Sequence, residues 1–245
     1  ITEVGAIPVF VDCDNSFCMN VDLVEKKITK KTKAIVPVHF TGYMTNMPKL
    51  MKISKKYKLP IIEDACHALG SNYYDGKKLY KIGSCHHCDV STFSFHPLKS
   101  ITTGEGGMVV CKDDTVAERA AAWHDHGHEN NPKLPRWEDS RKKSGFNFRM
   151  TELQAAVGLA QLRKLKKILE LHKKNRMLIW KKIKSLDIEL RNVPKKNKET
   201  FESLIFFVKN RSIAKKCRKA LNKKGVFTKI LPEATTWHFS KHWSH

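Results

Sequence analysis

The sequence contains no uninterrupted apolar run near the ~20 residues that a membrane-spanning helix needs. It also lacks the basic start, apolar stretch and small-residue cleavage site of a signal peptide. The seven cysteines are odd in number and irregularly spaced, which is not the pattern of a disulfide framework. We therefore expect a cytoplasmic protein with reduced thiols and no membrane partner.

Acidic residues are scarce, since 24 Asp and Glu stand against 46 Lys and Arg, for a formal net charge of +22. A charge of this sign attracts anions such as nucleic acid or phosphorylated metabolites. Nucleic-acid readers more often use arginine with interleaved aromatics in a recognisable module, and the sequence shows no such module. Most of the excess is lysine in predicted helices. We interpret it as a solvated face and expect no nucleic-acid partner, although a nucleic-acid-binding protein stays an alternative.

Short apolar and β-branched runs alternate with helical patterns along the first half of the chain. The predicted strands are 7–12, 34–40, a run ending near Asp64, 90–95 and 107–111, and the predicted helices are 21–28, the segment around "MPKLMKISKKY", and "DTVAERAAAWHDH". This order predicts an α/β fold with a mostly parallel sheet sandwiched by helices. Functional groups in such sheets gather at the carboxyl ends of strands, where Asp64 and Ser94 are expected.

The second half begins with a capping box, Thr151 with Gln154 three residues later, which predicts a long helix from residue 151. A strand in "SLIFFVK" and a helix ended by Gly225 follow. We predict a large domain over residues 1–165, and a linking helix with part of a smaller C-terminal α/β domain over 166–245. The chain opens at an apparent core strand and stops in mid-pattern, so we expect a fragment lacking both ends.

The stretch "SFHPLKSITTGEGG" sets Lys99 apart from the other lysines. A lysine amine becomes a nucleophile when it loses its proton, and its best-known use is a Schiff base with a carbonyl, including that of pyridoxal phosphate. Such a site needs a carboxylate for the pyridine nitrogen and donors for the phosphate. Asp64 and Ser94 offer these groups, and the glycines offer a backbone that turns tightly beside a ligand.

Each of these signals has an ordinary structural explanation. A carboxylate at a strand end more often forms a turn or caps a helix, and a serine five residues before a lysine is commonplace. The glycines predict, first of all, a turn into the next strand. The order of the motifs along the chain is what favours a functional site.

That order resembles the DegT/DnrJ/EryC1/StrS family of sugar aminotransferases. Five blocks carry the resemblance: "GAIPVFVD", "TKAIVPVHFTGYMTNM", "IIEDACHALGS", "FSFHPLKSITTGEGGMVV" and "NFRMTELQAAVGLAQL". The resemblance implies the fold type I of pyridoxal-phosphate transferases, related to aspartate aminotransferase. It also implies pyridoxal 5'-phosphate as the cofactor.

The resemblance further implies a role for each matching position. Lys99 would form the Schiff base with the cofactor and then carry the proton between substrate carbon and cofactor carbon. Asp64 would pair with the pyridine nitrogen, His67 would lie against the ring or its hydroxyl, and Ser94 would bind the phosphate. Asn147 would reach the phosphate bound in the neighbouring subunit, which implies a homodimer with a shared active site.

The family's dehydratase branch has histidine at the lysine position, so Lys99 favours amino transfer. The implied substrate is an anionic keto sugar, either nucleotide-linked or a sugar acid, and the implied amino donor is glutamate. The end of the chain, "KGVFTKILPEATTWHFSKHWSH", resembles enzymes that act on sugars of surface polysaccharides such as lipopolysaccharide, including the group that aminates 3-deoxy-octulosonate.

Two further alternatives remain open. Cys85, His86, His87 and Cys88 could contribute to a zinc site, as could the histidines of "WHDHGH". A single Cys-x-x-Cys pair is a thin signal, however, and adjacent histidines on a strand point to opposite faces, so we predict no metal site. The other alternative is a non-catalytic remnant or sensor that keeps the fold without turnover.

Overall fold

The computed structural model describes residues 1–231, and within this range no helix combines the length and apolar character needed to cross a membrane. The strands are β1 (Ile62–Asp64), β2 (Asn72–Tyr74), β3 (Leu79–Lys81), β4 (Val90–Ser94), β5 (Gly107–Cys111), β6 (Glu189–Leu190) and β7 (Phe206–Phe207). The α-helices are α1 (Met47–Tyr57), α2 (Asp114–His124), α3 (Glu152–Ile183) and α4 (Arg211–Lys223).

The central sheet has the order β1-β4-β5. Strands β1 and β4 run parallel with Asp64 opposite Thr92, whereas β4 and β5 run antiparallel with Ser94 opposite Gly107. The predicted strand 34–40 contributes two isolated parallel bridges to the same edge, Ile35 to Ile61 and Val38 to Asp64. The predicted α/β class is therefore confirmed, and the parallel pairing brings the carboxyl ends of β1 and β4 side by side.

The core lies where α1 packs against this sheet. Asn46 caps α1 by accepting the Lys49 N–H at 3.2 Å, and Pro48 occupies the first turn, as its fixed φ favours. The helix buries Met47 and Leu50, which are fully inaccessible to solvent, against the sheet. Burial of each such side chain stabilises the fold by roughly 1.5–3 kcal/mol.

Two predicted elements were wrong. Residues 7–12 form no strand, and Ile7 and Val9 remain exposed, because an apolar run becomes a strand only where a neighbouring ladder accepts its backbone groups. The predicted helix 21–28 is two short 3₁₀ turns, Val21–Leu23 and Glu25–Lys27. So short a segment with β-branched residues has little intrinsic tendency to continue an α-helix.

Helix α3 begins as its capping box predicts. Gln154 N–H donates to Thr151 Oγ1 at 3.3 Å, and Thr151 N–H donates back to Gln154 Oε1 at 2.9 Å. The backbone contacts divide the chain into two compact units, one of Ile1–Leu178 with Asn192–Ser203 and one of Ile179–Arg191 with the residues from Leu204 onward. The predicted domain division at residue 165 stays a prediction.

The second unit contains the β6–β7 pair and α4. Strands β6 and β7 are antiparallel, with Leu190 opposite Phe206. Asn210 caps α4 by accepting the Ile213 N–H at 3.0 Å, and Gly225 follows the helix with φ +76°, as the sequence predicts. The last part of the segment that resembles polysaccharide enzymes, residues 232–245, lies outside the described residues.

Candidate active site

Lys99 lies in the loop that leaves β4. Its N–H donates to His96 O at 2.9 Å, which makes a tight turn directly after the strand. The glycine segment then folds back onto the strand end, because Phe95 N–H donates to Gly106 O at 2.8 Å. Gly104 and Gly106 have φ of +83° and +157°, so this turn requires glycine. The loop therefore holds the half-buried Lys99 beside the carboxyl ends of β1 and β4.

A hydrogen-bonded chain connects Lys99 to a carboxylate that sequence reasoning missed. Lys99 Nζ lies 3.0 Å from His67 Nε2, and His67 Nδ1 lies 2.6 Å from Glu202 Oε1. With Nδ1–H donating to the carboxylate, Nε2 presents its lone pair to the lysine N–H. Glu202 follows His67 by 135 positions, so no local pattern could have identified it.

Glu202 reaches this position on the segment Asn192–Ser203, which we call the strap. Thr200 Oγ1 donates to His67 O at 3.3 Å, next to Gly42. A Cβ on Gly42 would lie 1.8 Å from Thr200 Oγ1, so only glycine permits this approach. Arg176 of α3 fastens the strap through an ion pair of 2.8 Å with the buried Glu199.

Asp64 lies at the end of β1, where its carboxylate Oδ1 accepts the Cys66 N–H at 3.1 Å. The pKa of the Cys66 thiol is raised to about 11, and burial is the largest cause. A hydrogen bond to Asp64 and the negative charge of Asp64 contribute to this rise, whereas the positive charge of Lys99 opposes it. The thiol thus lies within electrostatic reach of both predicted site residues, the acid and the amine.

Ser94 and Lys99 line one small cavity. Its other lining residues are Cys66, His67, Leu69, Ser100 and Ile101. Ser94 Oγ accepts the His96 N–H at 3.3 Å, and its own hydroxyl hydrogen is available to a ligand. The cavity thus brings together an amine, an imidazole and two hydroxyls, with the Asp64 carboxylate at the adjacent strand end, and these include the lysine and the acid that a pyridoxal-phosphate site uses.

Asn147 does not join this cluster. It lies in the loop before α3, where its backbone bridges to Asp125. Its exposed amide oxygen accepts a hydrogen bond from Arg149 Nε at 3.1 Å. Its predicted role toward a neighbouring subunit stays a prediction.

The cysteine and histidine motifs are arranged differently from the sequence expectation. His86 and His87 lie in the loop between β3 and β4 and not on a strand, so the argument that they face opposite sides was wrong. Cys85 and Cys88 are buried. In "WHDHGH", His124 and His126 are exposed, and His128 Nδ1 lies 3.3 Å from Asp139 Oδ2.

A lysine in the loop after β4, beside an acid at the end of the parallel strand β1, agrees with the class that the sequence resembles, the pyridoxal-phosphate transferases of fold type I. The family model of the DegT/DnrJ/EryC1/StrS aminotransferases matches residues 1–241, and the chain belongs to this family. The predicted fold type is confirmed by solved sugar aminotransferases. PseC of Helicobacter pylori, an aminotransferase involved in the biosynthesis of pseudoaminic acid, superposes with a TM-score of 0.82 at 27% identity, over 100% of this chain and 66% of that chain.

Two further proteins bear on the chemistry. GDP-perosamine synthase of Escherichia coli O157:H7 is 41% identical over 183 residues, which are 71% of this chain and 47% of that protein. Spr1654 of Streptococcus pneumoniae, solved in a PMP form, gives a TM-score of 0.82 at 27% identity over 97% of this chain and 66% of that chain. The predicted cofactor, pyridoxal 5'-phosphate, is thus confirmed for the family.

The chain spans less than half the length of the curated relatives it matches.

Proposed function

We propose that this chain is the main catalytic part of an aminotransferase that converts a nucleotide-linked keto sugar to an amino sugar for surface polysaccharides. The observation that carries the proposal is the series of hydrogen bonds from Lys99 through His67 to Glu202, at the cavity that Ser94 also lines. The nucleotide-linked substrate is favoured over a sugar acid because the matched relatives include a GDP-perosamine synthase and a UDP-4-amino-sugar transaminase. Glutamate is the proposed amino donor.

Pyridoxal phosphate, when bound, supplies an electron sink that stabilises negative charge at the reacting carbon. Lys99 would hold the cofactor through its Nζ atom. Asp64 would contact the ring nitrogen of the cofactor, and Ser94 would contact the phosphate of the cofactor. Asn147 from a second copy of the chain would add a phosphate contact, which makes a homodimer the proposed active unit. These roles are supported by the position of each residue in the family motifs and by the grouping of Lys99, Ser94, His67 and Asp64 at two neighbouring strand ends.

Hydrogen bonds connect three side chains of this protein at the cavity. Lys99 Nζ donates a hydrogen bond to His67 Nε2 across 3.0 Å, and Glu202 holds the imidazole through the bond at Nδ1. The same bond fixes the tautomer in which Nε2 accepts. His67 therefore orients the amine of Lys99, and Glu202 is a positioning residue that acts through His67.

The test is amino-sugar formation from glutamate and GDP- or UDP-linked keto sugars, followed by mass spectrometry. Lys99→Ala should abolish product, because the anchor and the proton carrier are both removed. Glu202→Ala should lower kcat about 100-fold with little change in KM, because His67 loses its orientation. Glu202→Gln retains an acceptor for Nδ1–H and should recover part of that loss.

Glu189→Gln is the matched control, since Glu189 is an exposed glutamate of β6, and it should leave kcat unchanged. Undiminished turnover by Lys99→Ala would contradict the proposed function. Absence of turnover in the unmodified protein with every sugar would favour the non-catalytic alternative. The proposed location remains the cytoplasm, which agrees with seven free cysteines.

A further inference from the structure

A cluster of possible metal ligands lies on the β2–β3 hairpin and the loop that follows it. Asp75 belongs to the turn between β2 and β3, and His86 and His87 belong to the loop before β4. One ligand atom from each of the three side chains lies within 4.8 Å of the other two. None of these residues lines the cavity that contains Lys99.

Neighbouring groups hold two of these side chains in place. Asp75 Oδ1 accepts the N–H groups of Lys77 and Lys78 at 2.8 and 2.9 Å, which fixes the carboxylate and leaves its second oxygen available. His87 Nδ1 lies 2.7 Å from the hydroxyl of the buried Tyr73. When Nδ1–H donates to that hydroxyl, Nε2 carries the free lone pair, which is the arrangement in which histidine binds metals.

The third side chain is oriented by stacking. The His86 ring lies parallel to Tyr80, with 3.9 Å between centroids and an interplanar angle of 14°. The rings of His86 and His87 are 4.6 Å apart and nearly perpendicular. Two imidazoles from consecutive residues therefore converge on one side of the loop, which a strand would not permit.

The neighbouring thiols are poor candidates for the same ion. Cys85 Sγ lies 3.6 Å from Val110 O on β5, and Cys88 is 1% exposed. The Cys85 thiol is therefore engaged by the backbone of β5, and Cys88 is enclosed in the hydrophobic core.

We propose that Asp75, His86 and His87 form a binding site for a divalent transition-metal ion such as Zn²⁺, with two imidazole nitrogens, one carboxylate oxygen and solvent as ligands. Metal bonds of ~2.0 Å place tetrahedral ligand atoms about 3.3 Å apart, so small side-chain rotations close the cluster. Nitrogen and carboxylate ligands suit ions of this class. The bound ion would connect the β2–β3 hairpin to the loop that enters β4. The sequence analysis predicted no metal site, and this proposal differs from that prediction.

The test is a titration of the untagged, chelator-treated full chain with Zn²⁺ in competition with a chromophoric chelator. We expect one ion per chain, and at least tenfold weaker binding in the His86→Ala/His87→Ala variant. The His124→Ala/His126→Ala variant removes two exposed imidazoles elsewhere and should bind as the unmodified chain does. Tyr73→Phe keeps the ring but removes the hydroxyl, and should weaken binding about tenfold.

A cobalt(II) spectrum of the unmodified protein distinguishes the ligands without any substitution. Bands from d–d transitions without a thiolate-to-metal charge-transfer band support the proposed nitrogen and oxygen ligands. A charge-transfer band would overturn the proposal in favour of Cys85 and Cys88. Failure to bind one Zn²⁺ per chain, or unchanged affinity in the folded His86→Ala/His87→Ala variant, would overturn it as well.

Discussion

Cys66 lies within electrostatic reach of the two charged groups on which the proposed chemistry depends. Its thiol responds to Asp64 in one direction and to Lys99 in the other, so its reactivity reports the geometry of the site without any turnover. The order of the motifs in the sequence predicted Asp64 and Lys99 as site residues. It did not predict that both would influence Cys66. Glu202 was missed for a similar reason, because its contact with His67 depends on how the strap packs against the rest of the first unit.

The first prediction concerns alkylation of Cys66 at pH 8. Because only the thiolate reacts and each pKa unit changes its fraction about tenfold, the high pKa makes Cys66 react slowly. Asp64→Asn keeps the acceptor for the Cys66 N–H but removes the negative charge, so it should speed alkylation about threefold or more. Lys99→Met should slow it.

The measurement is peptide mass spectrometry after timed iodoacetamide treatment. Cys111 is the internal reference, because burial and Asp113 raise its pKa without a contribution from either site residue. Equal rates for Cys66 in all three proteins, relative to Cys111, would show that the acid and the amine do not flank this thiol.

At the scale of helices and strands, short sequence motifs correctly predicted those features that depend on interactions between residues close together in the chain. The capping box at Thr151 predicted the start of α3. Strand β5 was predicted over its observed range, Gly107–Cys111, because its apolar run pairs with β4. Residues 7–12 have the same kind of pattern but form no strand, because pairing depends on neighbours that the pattern does not specify.

The strap gives the second prediction. Arg176→Ala removes the ion pair of 2.8 Å with the buried Glu199 carboxylate and the hydrogen bond of 3.3 Å to Ser203 O. Loss of one member of a buried pair typically costs about 3 kcal/mol, so we expect the free energy of unfolding to fall by about that amount. Glu202 should also lose its fixed position, and kcat should fall with it.

The control for this prediction is Lys209→Ala, which breaks an ion pair with Asp187 between two exposed side chains. Its effect should be below about 1 kcal/mol. Urea unfolding followed by circular dichroism measures both variants. Equal destabilisation by the two substitutions would contradict the role given to Arg176.

At the scale of the whole molecule, the surface around the start of α3 is unusually apolar. Phe148 is 67% exposed and Leu153 is 77% exposed, and Phe146 stacks on Phe148 in the same loop. Exposed apolar side chains grouped in this way mark interaction surfaces. Asn147, proposed to reach a second subunit, lies between the two phenylalanines.

The third prediction is that this surface forms the homodimer contact. Leu153→Glu places a charge in the apolar patch and should shift the protein from dimer to monomer, as measured by light scattering. Leu186→Glu introduces the same charge at another exposed leucine, in the second unit, and should leave the dimer intact. A Leu153→Glu dimer as stable as the unmodified one would place the contact elsewhere.

The charge of +22 and the α/β class could be derived from the sequence, and the family resemblance supplied the cofactor chemistry. The contacts that organise the site could not be derived from the sequence, because they join segments that are far apart in the chain. His67, Lys99 and Glu202 come from three such segments. Their grouping is a property of tertiary packing.

The most direct measurement of the central claim is reduction of the protein with borohydride in the presence of pyridoxal phosphate, followed by peptide mapping. If Lys99 is the reactive amine, one cofactor should be fixed per chain, on the peptide that contains Lys99, despite the large excess of surface lysines. Lys99→Ala should abolish this labelling, whereas Lys112→Ala, which removes an exposed lysine after β5, should not. Labelling of any other lysine, or labelling spread evenly over the surface, would contradict the account.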